Sequence, residues 1–280
     1  MPENELSEAA VRAELATVWL GRPYLYMEEV ESTNDRMKAW VADPAYPSGT
    51  VLLADYQFAG RGRLDRRWEA PPGMALLFSV LLYPHWPAHQ GSWLTMLAGL
   101  AVAEAIEDVA ELPARLKWPN DVVLAEGEGP EWRKVCGLLL DVTLAPGGES
   151  RLDSAIIGIG LNVNTPAARL PAARLSAATT PATSLLIAGG KPVSRRALLV
   201  AILARLERHY DAALDGRSPA QTWATRLITL GCRVTVTTTA SAAPLIGTAE
   251  GIDAWGQLLV RDDGGALHTV AAGDVTLRGR

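Results

Sequence analysis

Apolar residues recur along this chain with two periods, and the alternation between them lays out the elements. Leu6, Ala10, Val11, Leu15 and Val18 fall at helical spacing, which predicts a helix over 5–20. Residues 28–33 read as the end of a strand running into a turn. Ser32, with Asp35 three positions on, is placed to cap a helix over 35–41. Residues 50–56 and 76–83 are apolar runs of strand length, and 93–109 is a long apolar-periodic helix. Short β-like runs at 115–118 and 122–125 precede two longer buried strands at 134–144 and 153–163. Residues 165–183, rich in Ala, Pro and Thr, read as a long mobile loop, followed by helices over 194–214 and 219–227.

The texture changes after Gly231. Short β-like runs from Val234 onward, at 249–253, 257–261 and 267–271, are separated by Gly251, Gly256 and Gly264-Gly265, as in a small β-barrel. A boundary near Leu230 therefore divides the chain into 1–229 and 230–280, with residues 1–25 an N-terminal helix. The larger part is predicted to be α+β, a mostly central sheet with helices on one side.

Composition narrows the class. Apolar residues make up 49% and charged residues 20% of 280, an ordinary globular balance with enough material for a core. A net charge of −5 argues against bulk binding to nucleic acid or anionic membrane and leaves room for a local basic pocket. The acidic N-terminus lacks the apolar core of a signal peptide. The apolar run at 74–83 falls far short of the roughly 20 residues a membrane span needs. Two cysteines are too few for a disulfide framework or a structural zinc site, and the four histidines have no ligand-like spacing. The expectation is a soluble cytoplasmic protein.

Four segments carry candidate chemistry. Residues 57–73 form a Gly/Arg/Pro-rich stretch in which Arg61, Arg63, Arg66 and Arg67 fall within seven positions, beside Gly60 and Gly62 and closing on Trp68. Glycines let backbone approach a ligand, and arginines give paired contacts to carboxylate or phosphate oxygens. Without GxxxxGK[ST] it is not a Walker loop. The run Lys117-Trp118-Pro119-Asn120-Asp121 projects an amide and a carboxylate that could hold Mg²⁺; by local chemistry alone an ordinary turn describes it better. Lys134, at the mouth of the apolar strand leading through Cys136 and Gly137 to Asp141, is either a cation facing a closed pocket or a surface lysine. Cys136 has no histidine near it in sequence and reads as packing. In Gly158-Ile159-Gly160-Leu161-Asn162-Val163-Asn164, alternation sets the glycines and asparagines on one face, open to a flat ligand, or marks a β-bulge.

In order, Ser32-Thr33-Asn34, Gln57 with GRGRxxRxW, KWPND, K-x-x-G-[IL]-L and G-[IL]-N-V-N resemble the biotin–protein ligases. The resemblance runs from about Tyr26 to the C-terminus, through Ala182-Thr183-Ser184-Leu185 and Val275-Thr276-Leu277-Arg278. It implies a class II synthetase-like catalytic domain with a central mixed sheet, followed by an SH3-like β-barrel. It implies ATP-dependent activation of biotin to biotinyl-5′-adenylate and transfer to a specific lysine of a biotin carboxyl carrier domain. Lys134 and Arg63 would be catalytic. Ser32, Thr33, Asn34, Gln57, Gly60, Arg61, Gly62, Arg63, Lys134 and Gly137 would bind biotin. Arg61, Arg63, Trp68, Lys117, Asn120, Asn162 and Arg278 would meet the nucleotide, with Asp121 at Mg²⁺. The 57–73 stretch and 165–183 would serve as lids.

Two departures change the picture. Family members often carry Gly where this chain has Asp65, and an acid in a phosphate-binding loop repels phosphate unless it faces outward or pairs with Arg66 or Arg67. Only 31 residues precede Ser32, too few for the winged-helix domain of some relatives; the expectation is no DNA binding and no membrane partner, with a homodimer left open. The nearest rival is a lipoate or octanoate ligase or transferase of the same superfamily. A rival of another class is a non-catalytic biotin- or nucleotide-binding adaptor.

Overall fold

The computed structural model describes residues 5–126, 131–147, 150–171, 180–239 and 241–278. The chain opens with α1 (Glu8–Glu14), shorter than the periodicity predicts. The apolar positions up to Val18 do not stay helical because other partners take the backbone. The N–H groups of Val18, Trp19 and Leu20 all donate to the Glu207 carboxylate at 2.8 Å. Strand β1 (Tyr24–Val30) follows and begins earlier than its sequence suggests, because it runs parallel beside β2 (Val51–Gln57). Between them lies α2 (Thr33–Lys38), capped by the Ser32 hydroxyl, which accepts from Asp35 N at 3.4 Å. The helix starts two residues before its predicted position because Ser32 is its N-cap.

Strand β3 (Ala75–Leu82) is buried along its whole length and leads to α3 (Gly91–Ala110). Then come β4 (Ala114–Lys117), β5 (Asp121–Ala125), β6 (Trp132–Leu144) and β7 (Leu152–Asn162). These strands form one seven-stranded mixed sheet in the order β1-β2-β3-β7-β6-β5-β4. Only β1 and β2 pair in parallel. The short helix α4 (Leu185–Gly189), capped by Ser184, was not legible from periodicity. Helices α5 (Arg195–Leu214) and α6 (Ala220–Arg226) complete this part. The core lies between the sheet and α3, whose Ala- and Gly-rich surface is buried nearly all round against α5.

A separate five-stranded antiparallel sheet follows, made of β8 (Arg233–Thr238), β9 (Ser241–Ile252), β10 (Leu258–Asp262), β11 (Leu267–Val270) and β12 (Asp274–Arg278), in the order β11-β10-β9-β8-β12. It meets the large sheet through a peg. Asp253 accepts from the backbone N–H groups of Trp255 and Gln257, which shapes the turn. Trp93 Nε1 donates to Ala254 O and Trp118 Nε1 to Gly256 O. The fold is α+β as expected, but the helices do not all lie on one side: α2 covers the face opposite α3, where Met37 packs on Leu52, Leu81 and Ile156. Among the described residues no helix is long and apolar enough to cross a membrane.

Candidate active site

One cavity gathers most of the predicted positions. It is lined by Ser32, Thr33, Asn34, Gln57, Arg61, Gly62, Arg63, Trp68, Lys117, Asn120, Asp121, Lys134 and Gly137. Gly60 and Asn162 lie off its wall. Asn162 is buried, its Nδ2 donating to Thr183 O at 3.0 Å while its Oδ1 has no partner. Arg278 ends β12, but its side chain lies outside the described residues, as do 172–179 within the segment read as a second lid.

The two ends of the cavity differ in chemistry. At one end α2 meets β2, β3 and β6. Thr33 N donates to Gln57 Oε1 at 2.7 Å, and Asn34 Nδ2 donates to the Asp141 carboxylate at 2.9 Å. Thr33 and Asn34 are buried. Ser79, on β3, lies beneath both. The sequence offered no signal for it beyond an apolar strand, because its importance comes from facing α2 across the fold.

The other end is cationic. Arg63, Arg66, Arg67, Lys117 and Lys134 line it with Asp121 and Asp274, while Arg61 sits at the border, paired with Asp35 and near Asp141 beside Asn34. The arginine loop is a hairpin: Gly62 N donates to Arg66 O at 2.8 Å and Trp68 N to Gly60 O at 3.0 Å. Its two tip residues, Leu64 and Asp65, both have positive φ, at 53° and 55°. Such tight turns favour Asn and Gly, so Leu64 holds the conformation at a cost of about 1–2 kcal/mol. A side chain at Gly60 would overlap the Trp68 carbonyl, which accounts for that glycine. Asp65 is exposed and has an ion pair with neither Arg66 nor Arg67; Arg66 pairs instead with Asp274 of β12.

Among the described residues, each of these basic side chains except Arg67 lies against an acceptor. Arg63 donates to Asn120 Oδ1 at 2.9 Å and to Gly273 O at 3.2 Å. Arg61 pairs with Asp35 at 2.6 Å and lies 3.5 Å from Asp141. Lys134 Nζ lies 2.6 Å from Asp121 Oδ1, a close pair whose alignment is not that of a hydrogen bond. Lys117 Nζ donates to Thr180 Oγ1 at 2.7 Å. Burial lowers the Lys117 pKa, and the neighbouring Asp121 carboxylate opposes that shift. Burial also lowers the pKa of Arg63, and pushes the Cys136 thiol far up, so Cys136 is inert packing.

Trp68 packs beside Lys134. Lys134 Nζ sits 5.5 Å from its ring centroid, a cation–π contact. The indole lies on a glycine track formed by Gly137 of β6 and its register partner Gly160 of β7. A Cβ at Gly160 would come within 2.6 Å of the ring and one at Gly137 within 2.8 Å. The flat group on this glycine face is thus the protein's own indole. Gly158 on the same strand makes room for the Asn34 side chain. Residues 180–183 are not loose: Lys134 N donates to Pro181 O at 2.7 Å and Thr183 N to Lys134 O at 2.8 Å, fixing a strap beside Lys134. Among the described residues no three His, Cys, Asp or Glu side chains cluster to hold a metal.

Comparison with known proteins agrees with this geometry. Residues 26–162 match the Biotin/lipoate A/B protein ligase family, and 229–278 match the Biotin protein ligase C terminal domain. The bifunctional ligase/repressor BirA of Bacillus subtilis is 31% identical over 98% of this chain and 80% of its own. The biotin–[acetyl-CoA-carboxylase] ligase of Mycobacterium tuberculosis is 30% identical over 96% of this chain and 95% of its own. The biotin protein ligase of Aquifex aeolicus in complex with biotin and ATP superposes with a TM-score of 0.70 at 30% identity, covering 92% of this chain and all of that one. With this cavity, these likenesses and both matched regions, the chain belongs to the biotin protein ligase family, enzymes that activate biotin and transfer it to protein.

Proposed function

We propose that the neutral polar end of the cavity holds the biotin ring and the cationic end holds its carboxylate against the α-phosphate of ATP. The observation that carries this reading is the division of one cavity into those two ends. In the first step a biotin carboxylate oxygen attacks the α-phosphorus, pyrophosphate leaves, and biotinyl-5′-adenylate forms. Two anions must approach, so cations at the developing charge lower the barrier. Lys134 and Arg63 supply it, and each exchanges its present partner, Asp121 or Asn120 with Gly273 O, for the substrate. Lys117 and Arg61 add positive potential, and Asn120 meets the nucleotide. In the second step the amine of a lysine on a carboxylase carrier domain attacks the acyl carbon, AMP leaves, and an amide forms.

Mg²⁺ fits this site as an ion that arrives with nucleotide phosphates. Asp121 offers a single carboxylate, and the Asn120 carbonyl oxygen is already used by Arg63. Magnesium is commonly held by one or two carboxylates plus substrate phosphates. Asp121 would hold it, and bound there the ion would neutralise phosphate charge. Residues 1–229 form the catalytic domain and 230–280 a second domain that closes the rim through Gly273 and Asp274. Asn162 acts through the 180–183 strap, and Arg278 on the nucleotide. We place this activity in the cytoplasm, where ATP and carboxylases meet, and the net charge of −5 supports a ligase acting without DNA.

The test is a carrier domain incubated with this protein, biotin and MgATP. A biotinyl mass increase on one lysine, with no increase when lipoate replaces biotin, is the expected result. Lipoylation without biotinylation would overturn the reading.

A further inference from the structure

Three close oxygen–oxygen contacts occupy the neutral end of the cavity. Thr33 Oγ1 lies 3.0 Å from Gln57 Oε1, and Ser79 Oγ lies 2.7 Å from Thr33 Oγ1 and 2.6 Å from Asn34 Oδ1. The two contacts of Ser79, at 2.7 and 2.6 Å, need a hydrogen between their oxygens, whereas the 3.0 Å approach of Thr33 Oγ1 to Gln57 Oε1 is near van der Waals separation and accompanies the Thr33 N–H bond to the same oxygen. The two amide groups cannot provide one. Asn34 turns its Nδ2 to the Asp141 carboxylate at 2.9 Å, which leaves its oxygen facing Ser79. Gln57 Oε1 accepts from the Thr33 backbone N–H at 2.7 Å, so its oxygen faces Thr33. Flipping either amide would set donor against donor or oxygen against carboxylate.

The hydrogens must therefore come from the Thr33 and Ser79 hydroxyls, which have one each. Asn34 Oδ1 can only accept, so Ser79 gives its hydrogen to Asn34 and takes the Thr33 hydrogen, which leaves Thr33 Oγ1 beside Gln57 Oε1 as acceptor beside acceptor. Ser79 is fully buried and Thr33 and Asn34 are 3% exposed, while Gln57 is half-buried and lines the cavity, so this acceptor pair is the part of the network that a ligand can reach. Two adjacent acceptors are best served by a group that brings a donor.

We propose that Ser79 is a positioning residue that keeps this end of the cavity one hydrogen short, as an acceptor array completed by a ligand N–H. This rests on the reading of that end as the biotin ring site. A cyclic urea brings two N–H donors, whereas a dithiolane or an alkyl chain brings none. Ser79 thus acts through Thr33 and Asn34 to favour a urea-bearing acid over other acyl acids.

Biotin-dependent pyrophosphate–ATP exchange with Ser79→Ala tests this. That change leaves Asn34 Oδ1 without a donor and lets the Thr33 hydrogen settle on Gln57. The KM for biotin should rise about tenfold, the size of one lost hydrogen bond, while the KM for ATP and kcat at saturating biotin stay within about twofold. Ser79→Cys, with a weaker donor, should fall between. Discrimination between biotin and biotin methylated on a ureido nitrogen should narrow in Ser79→Ala. Thr33→Val gives a second readout that a packing role would not produce. It removes the surplus acceptor, so the ligand-free variant should melt at or above the wild-type temperature although it binds biotin poorly. A biotin KM unchanged in Ser79→Ala, a parallel rise in the KM for ATP, or a melting temperature several degrees lower in Thr33→Val would overturn the proposal. Absence of exchange in the wild-type protein would instead overturn the assignment of biotin itself.

Discussion

The two ends of the cavity are built in opposite ways. At the neutral end, Thr33 and Asn34 are almost fully buried and are held by α2, β2, β3 and β6, all in the larger part of the molecule. Its groups are fixed before any ligand arrives. At the cationic end, half-exposed side chains depend on acids and carbonyls from several places. Arg63 and Arg66 reach Gly273 and Asp274 beside and on β12, Arg61 reaches Asp35 on α2, and Lys134 reaches Asp121. An anion that enters must displace those partners. On the proposed reading, the first end would select by fixed geometry and the second would bind by exchange of charge, with Gly273 and Asp274 beside the second.

Four changes break or sharpen that contrast, in falling order of effect. Lys134→Ala removes a cation from the reacting atoms and should slow adenylation by about 10²–10³, read by single-turnover kinetics, with a much smaller change in biotin affinity. An equal fall in both would mean that the two ends are not separate. Asp274→Ala frees Arg66 and should raise the KM for ATP about three- to tenfold while leaving the KM for biotin unchanged. A matching rise for biotin would show that the smaller sheet also shapes the ring end.

The third concerns pH. Burial holds the Lys117 pKa below its ordinary value against the pull of Asp121, with Lys134 and Arg66 adding to the depression. The folded protein therefore binds fewer protons than the unfolded chain between the two values. Stability from this group rises with pH across that window, while ATP binding weakens as the charge is lost. The kcat/KM for ATP should fall on the alkaline side below the usual lysine value of about 10.4, and Lys117→Arg should move that fall upward. An identical profile in the variant would assign the limb to another group. Smallest is Asp65→Gly, which relieves a left-handed tip residue and should raise stability by about 0.5–1 kcal/mol in denaturant melts without altering the KM for biotin.

Much of this could be read from the sequence wherever neighbours in the chain are also neighbours in space. The seven-stranded sheet, α3 and α5 follow from apolar periodicity. GRGR, KWPND and Lys134 converge because β2, β4, β5 and β6 all end at the cavity. What was hidden depends on partners far along the chain. Ser79 is one polar residue in an apolar strand until α2 lies over it. Asp141 closed the Lys134 segment with no role of its own and Asp274 carried no motif, yet they hold Asn34 and Arg66. The glycine face at 158–160 was legible as a flat-ligand surface, but not that Trp68 rests on it, because that depends on a hairpin turn through Leu64 and Asp65 that residue preference disfavours. The opening helix stops early for a similar reason: Glu207, on α5, takes the amides of 18–20.

The most direct test of a divided cavity is exchange of labelled pyrophosphate into ATP, measured without any carrier protein. In a divided cavity, exchange depends on biotin, needs Mg²⁺, and falls about 10²–10³-fold in Lys134→Ala while that variant still binds biotin. Exchange that proceeds equally well without biotin, or with lipoate in its place, would contradict it.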